Sequence, residues 1–385
     1  MRPLFLTAGA LLLGACAPVA SSAVEPVIFG ADDRVELYEV RDNAQREAFA
    51  RAVPAMIHAS RVHVDTSGSV TFDAQPLGPS HELCEGEAHY DQPSAVSCSA
   101  TLIDDDLVLT AGHCVDGWPC AEQRFVFGWY YDEAGVLHAR RSDDVFRCSE
   151  VVVTELTSAN DYAIVRLDRA AAGPPLPVRL EPAVVGEAVS LAGYPFGIPM
   201  KVVEHGEITA NASRSRFYAR LDAQPGNSGS GVFDEELRLL GDLTNGPVEA
   251  LVRDGSCNRL AVIDETSWRT ELISSVVPAV EALCASARPS ERLCGACGDG
   301  VCGPVEVCPS DCDDDAGMPD ATVVVPPDAA IADAAVAGGP DAGPVALATH
   351  CGCAIPSRRI GLPSRFGALG VALGLALVVR RRRRR

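Results

Sequence analysis

The chain has 385 residues, 47% hydrophobic and 22% charged, with 15 cysteines and a net charge of −20. This balance excludes a wholly disordered chain and a polytopic membrane protein, and the length supplies core enough to fold without crosslinks, so the cysteines point to an oxidising compartment. Removing the six terminal arginines, Arg380 to Arg385, leaves a body at −26, which would repel phosphate backbones and excludes nucleic acid as a partner.

Residues 1–23 read as an export signal: Arg2, an apolar stretch from Leu4 to Gly14, then small residues. Leu13-Gly14-Ala15-Cys16 resembles a bacterial lipobox, which implies lipidation of Cys16; the other reading is cleavage after Ala23, with Cys16 discarded. Residues 24–80 are either a removable propeptide or an N-terminal part of the domain that extends to 285. From Ala95 onward, short apolar runs are broken by Gly, Pro and Asp. Val96 to Ile103, Leu107 to Thr110, Arg124 to Trp129, Asp161 to Leu167, Ala188 to Gly193 and Ser230 to Phe233 all predict strands. Such a series predicts an all-β barrel or sandwich. Leu272 to Leu283 predicts a closing helix despite Pro278.

Three short segments carry chemistry. Thr110-Ala111-Gly112-His113-Cys114 puts a histidine at a strand end, where a rigid backbone suits a general base. Asn160-Asp161-Tyr162 opens a strand with a carboxylate able to orient an imidazole. Gly226-Asn227-Ser228-Gly229-Ser230 surrounds a serine with glycines, which permits a tight turn that exposes the hydroxyl and gathers N–H groups at one spot. Each alone is weak. Together, in the order His, Asp, Ser with spacings of 48 and 67, they hold the parts that acyl transfer requires.

This order and these motifs resemble trypsin-like serine proteases, and the Gly-Asn-Ser-Gly-Ser form is most similar to the bacterial glutamyl-endopeptidase-like branch. The resemblance runs from Val27 to Leu283, with Val27 to Arg34 resembling that branch's opening segment and Leu191-Ala192-Gly193-Tyr194-Pro195 its Gly-Tyr-Pro strand. It implies a chymotrypsin-like double β-barrel, Ser228 as nucleophile, His113 as base, Asp161 as orienting acid, and the N–H groups of Gly226 and Ser228 as oxyanion hole. It also implies a Cys98–Cys114 bridge, protein or peptide substrates, and neither metal nor organic cofactor. Cys84, Cys120, Cys148 and Cys257 are left open among 3 pairings. Asn227 stands where animal trypsins have the Asp of their activation switch, and Pro225 where the bacterial branch usually has Gly. For the specificity pocket the matching positions are Asp222, six residues before Ser228, and Leu243, where glutamyl enzymes have a histidine; His205 is the nearest alternative histidine. A catalytically silent binding protein on the same scaffold is the rival reading, expected with a broken triad or oxyanion loop, and neither is visible in the sequence.

Residues 286–312 form a cysteine-rich module whose Cys294 to Cys312 stretch packs five cysteines into 19 residues, too few for a core, so disulfides are expected rather than zinc. Asp299, Glu306 and Asp311 could bind calcium, but read more simply as solvated loop acids. Residues 313–349, without Lys or Arg, predict a disordered acidic linker. Residues 350–385 combine Cys351-Gly352-Cys353, an apolar segment from Phe366 to Val379 and the Arg run. This layout resembles the C-terminal sorting tails of myxobacterial surface proteins, with a plain membrane anchor as the alternative. The expected location is extracytoplasmic, at the cell surface or outer membrane or released. The odd cysteine count is then resolved: Cys16, Cys351 and Cys353 for addressing, the other 12 for disulfides.

Overall fold

The computed structural model describes residues 27–247 and 249–295. Cys16 and the leader, the cysteines from Cys297 onward, the linker and the C-terminal tail lie outside the described residues. No helix among the described residues is long and apolar enough to cross a membrane.

Two seven-stranded antiparallel sheets organise the chain. The first runs, edge to edge, Cys98–Ser99, Ala55–His58, Gln123–Val126, Val145–Leu156, Asp161–Leu167, Leu107–Thr110 and Thr101–Asp104. Its two edge strands are separated in sequence only by Ala100, so the sheet must curl until its edges meet. The predicted strand Val96 to Ile103 is thus two strands on opposite edges of one barrel. The second sheet runs Ala188–Gly193, Gly231–Phe233, Leu239–Asn245, Glu271–Ser275, Arg216–Arg220, Lys201–Ser213 and Val35–Glu36, and a further pairing of Ala188–Gly193 with Lys201–Ser213 closes it. Closure removes the exposed edges that invite aggregation.

Burial follows the pattern expected of closed barrels. Leu107 to Leu109 and Ile164 to Val165 are fully buried in one core, while Ile208, Leu243 and Ile273 are fully buried in the second. Ala192 and Phe233 belong to the second sheet and Tyr194 follows its strand Ala188–Gly193 directly, yet all three join the first core, forming the seam between the barrels. There Phe233 meets Phe49 of helix Asn43–Ala52 with ring centroids 5.0 Å apart. Asp42 caps that helix, its carboxylate accepting from Ala44 N–H at 2.7 Å.

Residues 27–80 are integral to this body. Ala55–His58 lies inside the first sheet between two partners, and Val27 to Phe29 are buried. Excising the segment as a propeptide would remove an inner strand.

Leu272 to Ser275 is strand, and the helix begins only at Val276, capped by Ser275. Leu272 and Ile273 are claimed by a sheet ladder with Tyr218 and Phe217, which local apolar patterning cannot reveal. Pro278 falls in the first helical turn, where a missing N–H costs nothing.

Four disulfides form among the described residues: Cys84–Cys257, Cys98–Cys114, Cys120–Cys148 and Cys284–Cys294. The last ties the first cysteine of the expected module back to the closing helix. The barrel body therefore extends past the expected boundary at 285, at least as far as Cys294.

Candidate active site

Strand Leu107–Thr110 is wholly buried, and it delivers the chain through Ala111 into a single helical turn, Gly112–Val115, that carries His113. Gly112 is required by close approach. A Cβ there would stand 2.4 Å from the carbonyl oxygen of Glu155 and 3.1 Å from Asp161 Oδ1. The turn is thereby pressed against the start of strand Asp161–Leu167. Asp161 uses both oxygens on one residue: Oδ1 accepts the His113 main-chain N–H at 2.9 Å, and Oδ2 accepts from ring Nδ1 at 2.8 Å. This pairing places the ring proton on Nδ1 and leaves Nε2 as the acceptor of the ring.

The serine loop is fixed one peptide plane at a time. Pro225 O accepts from Phe196 N–H, Gly226 O from Ser99 Oγ at 2.9 Å, Asn227 O from Ser230 N–H at 2.7 Å, and Ser228 O from Ser99 N–H at 2.8 Å. A trans peptide is planar, with its N–H opposed to its C=O, so drawing the carbonyls of Pro225 and Asn227 inward turns the N–H groups of Gly226 and Ser228 the other way. Among the described residues those two N–H groups have no protein acceptor, whereas those of Asn227, Gly229 and Ser230 donate to Gln224 O, Leu243 O and Asn227 O. Gly226, at φ +98°, admits no side chain: a Cβ would stand 2.5 Å from Tyr194 O. Asn227, 1% exposed, braces the loop from within, accepting Gln224 N–H at 3.1 Å and donating to Ser230 Oγ at 3.0 Å.

Ser99 joins the two halves. Its carbonyl accepts the Thr110 hydroxyl at 2.7 Å, its N–H holds Ser228 O, and its hydroxyl bridges Gly226 O and Tyr194 N–H. Gly229, at φ +81°, lies against the same place, its notional Cβ 2.2 Å from Ser99 O and 3.1 Å from Ala111 N. Ser228, half-buried, is thus set beside the Thr110–Ala111 step that leads to His113. Cys114 Sγ packs 3.7 Å from Ser228 O; being bridged to Cys98 it has no proton to donate, so this is packing. The sulfurs of Cys98 and Cys114 and a His113 nitrogen lie within 4.8 Å of one another, but sulfurs spent in a disulfide are poor metal ligands. Sequence reasoning missed Ser99 and Thr110, since neither carries a local signature.

The two residues expected to line a specificity pocket are engaged elsewhere. Asp222 is 4% exposed and turned toward the N-terminal segment, accepting Phe29 N–H at 2.7 Å and Asp33 N–H at 3.0 Å. Burial pushes its carboxyl up to about 7 despite those bonds. Leu243 puts its side chain in the second core, while its main chain grips the serine loop through Ser230 O and Gly229 N–H. His205 is exposed on strand Lys201–Ser213. Two further acids are buried in strands of the second sheet. Glu271 is fully buried and accepts Val27 N–H at 3.0 Å. Asp242 is 1% exposed and neither of its oxygens has a hydrogen-bond partner among the described residues; burial and then the charge of Asp161 push it well above the usual carboxylate range.

Residues 98–241 match the family model for the trypsin-like peptidase domain. No curated protein matches the chain. Among solved structures, a Glu endopeptidase in complex with MPD is 16% identical, with 66% of this chain and 95% of that one covered and a TM-score of 0.39. The Rv3671c protease from M. tuberculosis in its active form is 16% identical over 72% of this chain and 97% of that one, at a TM-score of 0.38. The VesB protease of Vibrio cholerae is 14% identical over 59% and 61%, at 0.36. The described residues form a chymotrypsin-like double barrel, and within it residues 98–241 are similar to the trypsin-like peptidase domain.

Proposed function

We propose that the chain is an extracytoplasmic serine endopeptidase. Ser228 Oγ attacks the peptide carbonyl as His113 Nε2 takes its proton, and His113 then protonates the leaving amine. Asp161 holds the ring tautomer and offsets the positive charge on the imidazolium. The N–H groups of Gly226 and Ser228 receive the oxyanion, where one donor is typically worth about 10²–10³ in rate. Water, with His113 again as base, releases the acyl group. The observation that carries this reading is the two-point grip of Asp161 on His113, at 2.9 and 2.8 Å, beside a serine loop in which the N–H groups of Gly226 and Ser228 have no acceptor among the described residues.

An extracytoplasmic location is supported by four disulfides among the described residues and by the signal-like leader. Membrane attachment through the C-terminal tail, or through a lipid on Cys16, belongs to the same reading and rests on sequence alone. The test is a serine-directed fluorophosphonate probe on folded, oxidised protein, with the adduct located by mass spectrometry. Labelling at Ser228 that vanishes in Ser228→Ala is expected; equal labelling of both proteins, or of neither, refutes the enzyme reading.

A further inference from the structure

A groove of about 860 Å³ opens on the outer face of the second barrel beside Asn245 and Pro247. Asn245, Leu272 and Tyr218 lie side by side across three neighbouring strands and form its floor. Its walls carry Arg220 and Arg269 and no carboxylate, an inverted local charge on a chain of net −20. Neither guanidinium is well neutralised. Arg220 reaches Glu207 only at 3.6 Å, and its buried Nε has no partner. Arg269 stacks near Trp268, 5.4 Å from the ring centroid, and makes no ion pair among the described residues. Trp268 itself is 85% exposed, an unusual cost for a large aromatic unless something covers it.

The groove lies close to the candidate catalytic centre. Leu243 clasps the serine loop through its main chain, and Asn245 lies two residues further along the same strand, roughly 7 Å at strand spacing. We propose that this groove reads a carboxylate side chain of the peptide substrate, two or more residues from the cleaved bond. The inference rests on the peptidase reading and adds to it a substrate class, peptides acidic at a distance from the scissile position. The guanidiniums supply planar, paired donors for the carboxylate, and Trp268 and Tyr218 supply flat apolar surface for the methylenes that carry it. The Arg220–Glu207 pair is long and half in water, so exchanging Glu207 for a substrate acid costs little.

The experiment uses two peptides built around a sequence the enzyme cleaves, identical except for Glu or Gln at the third residue from the cleaved bond on either side. A partly exposed ion pair corresponds to a preference of about 5-fold in kcat/KM for the Glu peptide at low salt, falling toward about 1 near 0.5 M salt. Arg220→Gln with Arg269→Gln should bring the ratio to about 1 at every salt concentration, and Arg269→Gln alone, on an exposed loop that tolerates change, should lower it. A wild-type ratio of 1, or a ratio that survives the double variant, overturns the proposal. If neither peptide is cleaved and no probe labels Ser228, the peptidase reading has failed separately. Anisotropy titration of the labelled peptides with Ser228→Ala then decides the groove: tighter binding of the Glu peptide that is lost with both arginines upholds it, and equal affinities refute it.

Discussion

Replacing Ser99 by alanine should damage catalysis out of proportion to its effect on stability. The Ser99 hydroxyl is fully buried and serves two partners, donating to Gly226 O at 2.9 Å and accepting Tyr194 N–H at 3.0 Å. Alanine leaves both without a partner in a site closed to water, at about 1–3 kcal/mol each, so a total of about 2–6 kcal/mol is expected. For a domain of this size that is a drop of about 5–15 °C in Tm. The freed Gly226 carbonyl also lets the loop swing between the two proposed oxyanion donors, and kcat should fall at least about 10-fold with KM little changed. The control is Ile208→Ala, fully buried in the second core away from the loop and expected to cost a similar 2–5 kcal/mol or so. Calorimetry and steady-state kinetics on the two variants side by side make the test. If Ser99→Ala loses stability but keeps kcat at the level of Ile208→Ala, the peptide-pinning argument is wrong.

Asp161→Asn should lower kcat by about 10⁴ without unfolding the protein, because the two N–H groups go to different carboxylate oxygens and an amide has an oxygen at only one of those two places; with the amide NH2 against Nδ1 the ring proton is then forced onto Nε2, and an active-site titration showing normal folding with activity within tenfold of wild type would contradict this. Glu271 keeps its proton in the folded state well above 4.5, and Asp222 up to about 7, so the stability these acids contribute is fully present below their unfolded values and is lost as pH rises. Glu271→Gln keeps an oxygen for Val27 N–H and needs no proton; thermal melts from pH 4 to 8 should show a flatter fall than wild type, and parallel curves would reject the assignment. Removing Cys84–Cys257, with its separation of 173 residues, should cost about 5 kcal/mol, against about 3 kcal/mol for Cys98–Cys114 at 16. Only loss of the latter should also slow probe labelling of Ser228, because that bridge packs on its carbonyl; equal labelling rates would separate the bridge from the site.

What the sequence disclosed, it disclosed where local chemistry suffices. Leu107–Thr110 and Asp161–Leu167 are apolar runs buried on both faces, and such runs declare themselves whatever lies beside them. Val145–Leu156 was illegible because it changes from buried to half-exposed along its length and carries two register shifts, so no single period survives. Lys201 carries no local sign of burial yet is 1% exposed, held by Glu36 at 3.0 Å and Gln92 at 2.9 Å, partners 165 and 109 residues away. At the candidate site, His113, Asp161 and Ser228 stand in motifs. Ser99 acts through its position in a closed barrel, and the hold of Asp222 on the N-terminal segment was illegible for the corresponding reason, its partner Phe29 lying 193 residues upstream.

The Cys284–Cys294 bridge has a mechanical consequence. Tension applied to the chain beyond Gly295 reaches helix Val276–Cys284 through a covalent bond between its last residue and Cys294, while Ser290 Oγ anchors the intervening loop to Asp104. The residues from Cys284 to Cys294 therefore cannot be drawn out straight, and the load enters the body at a helix end packed in the first core. A pull from the C-terminal side must shear that helix from the core as a unit, instead of peeling the barrel strand by strand.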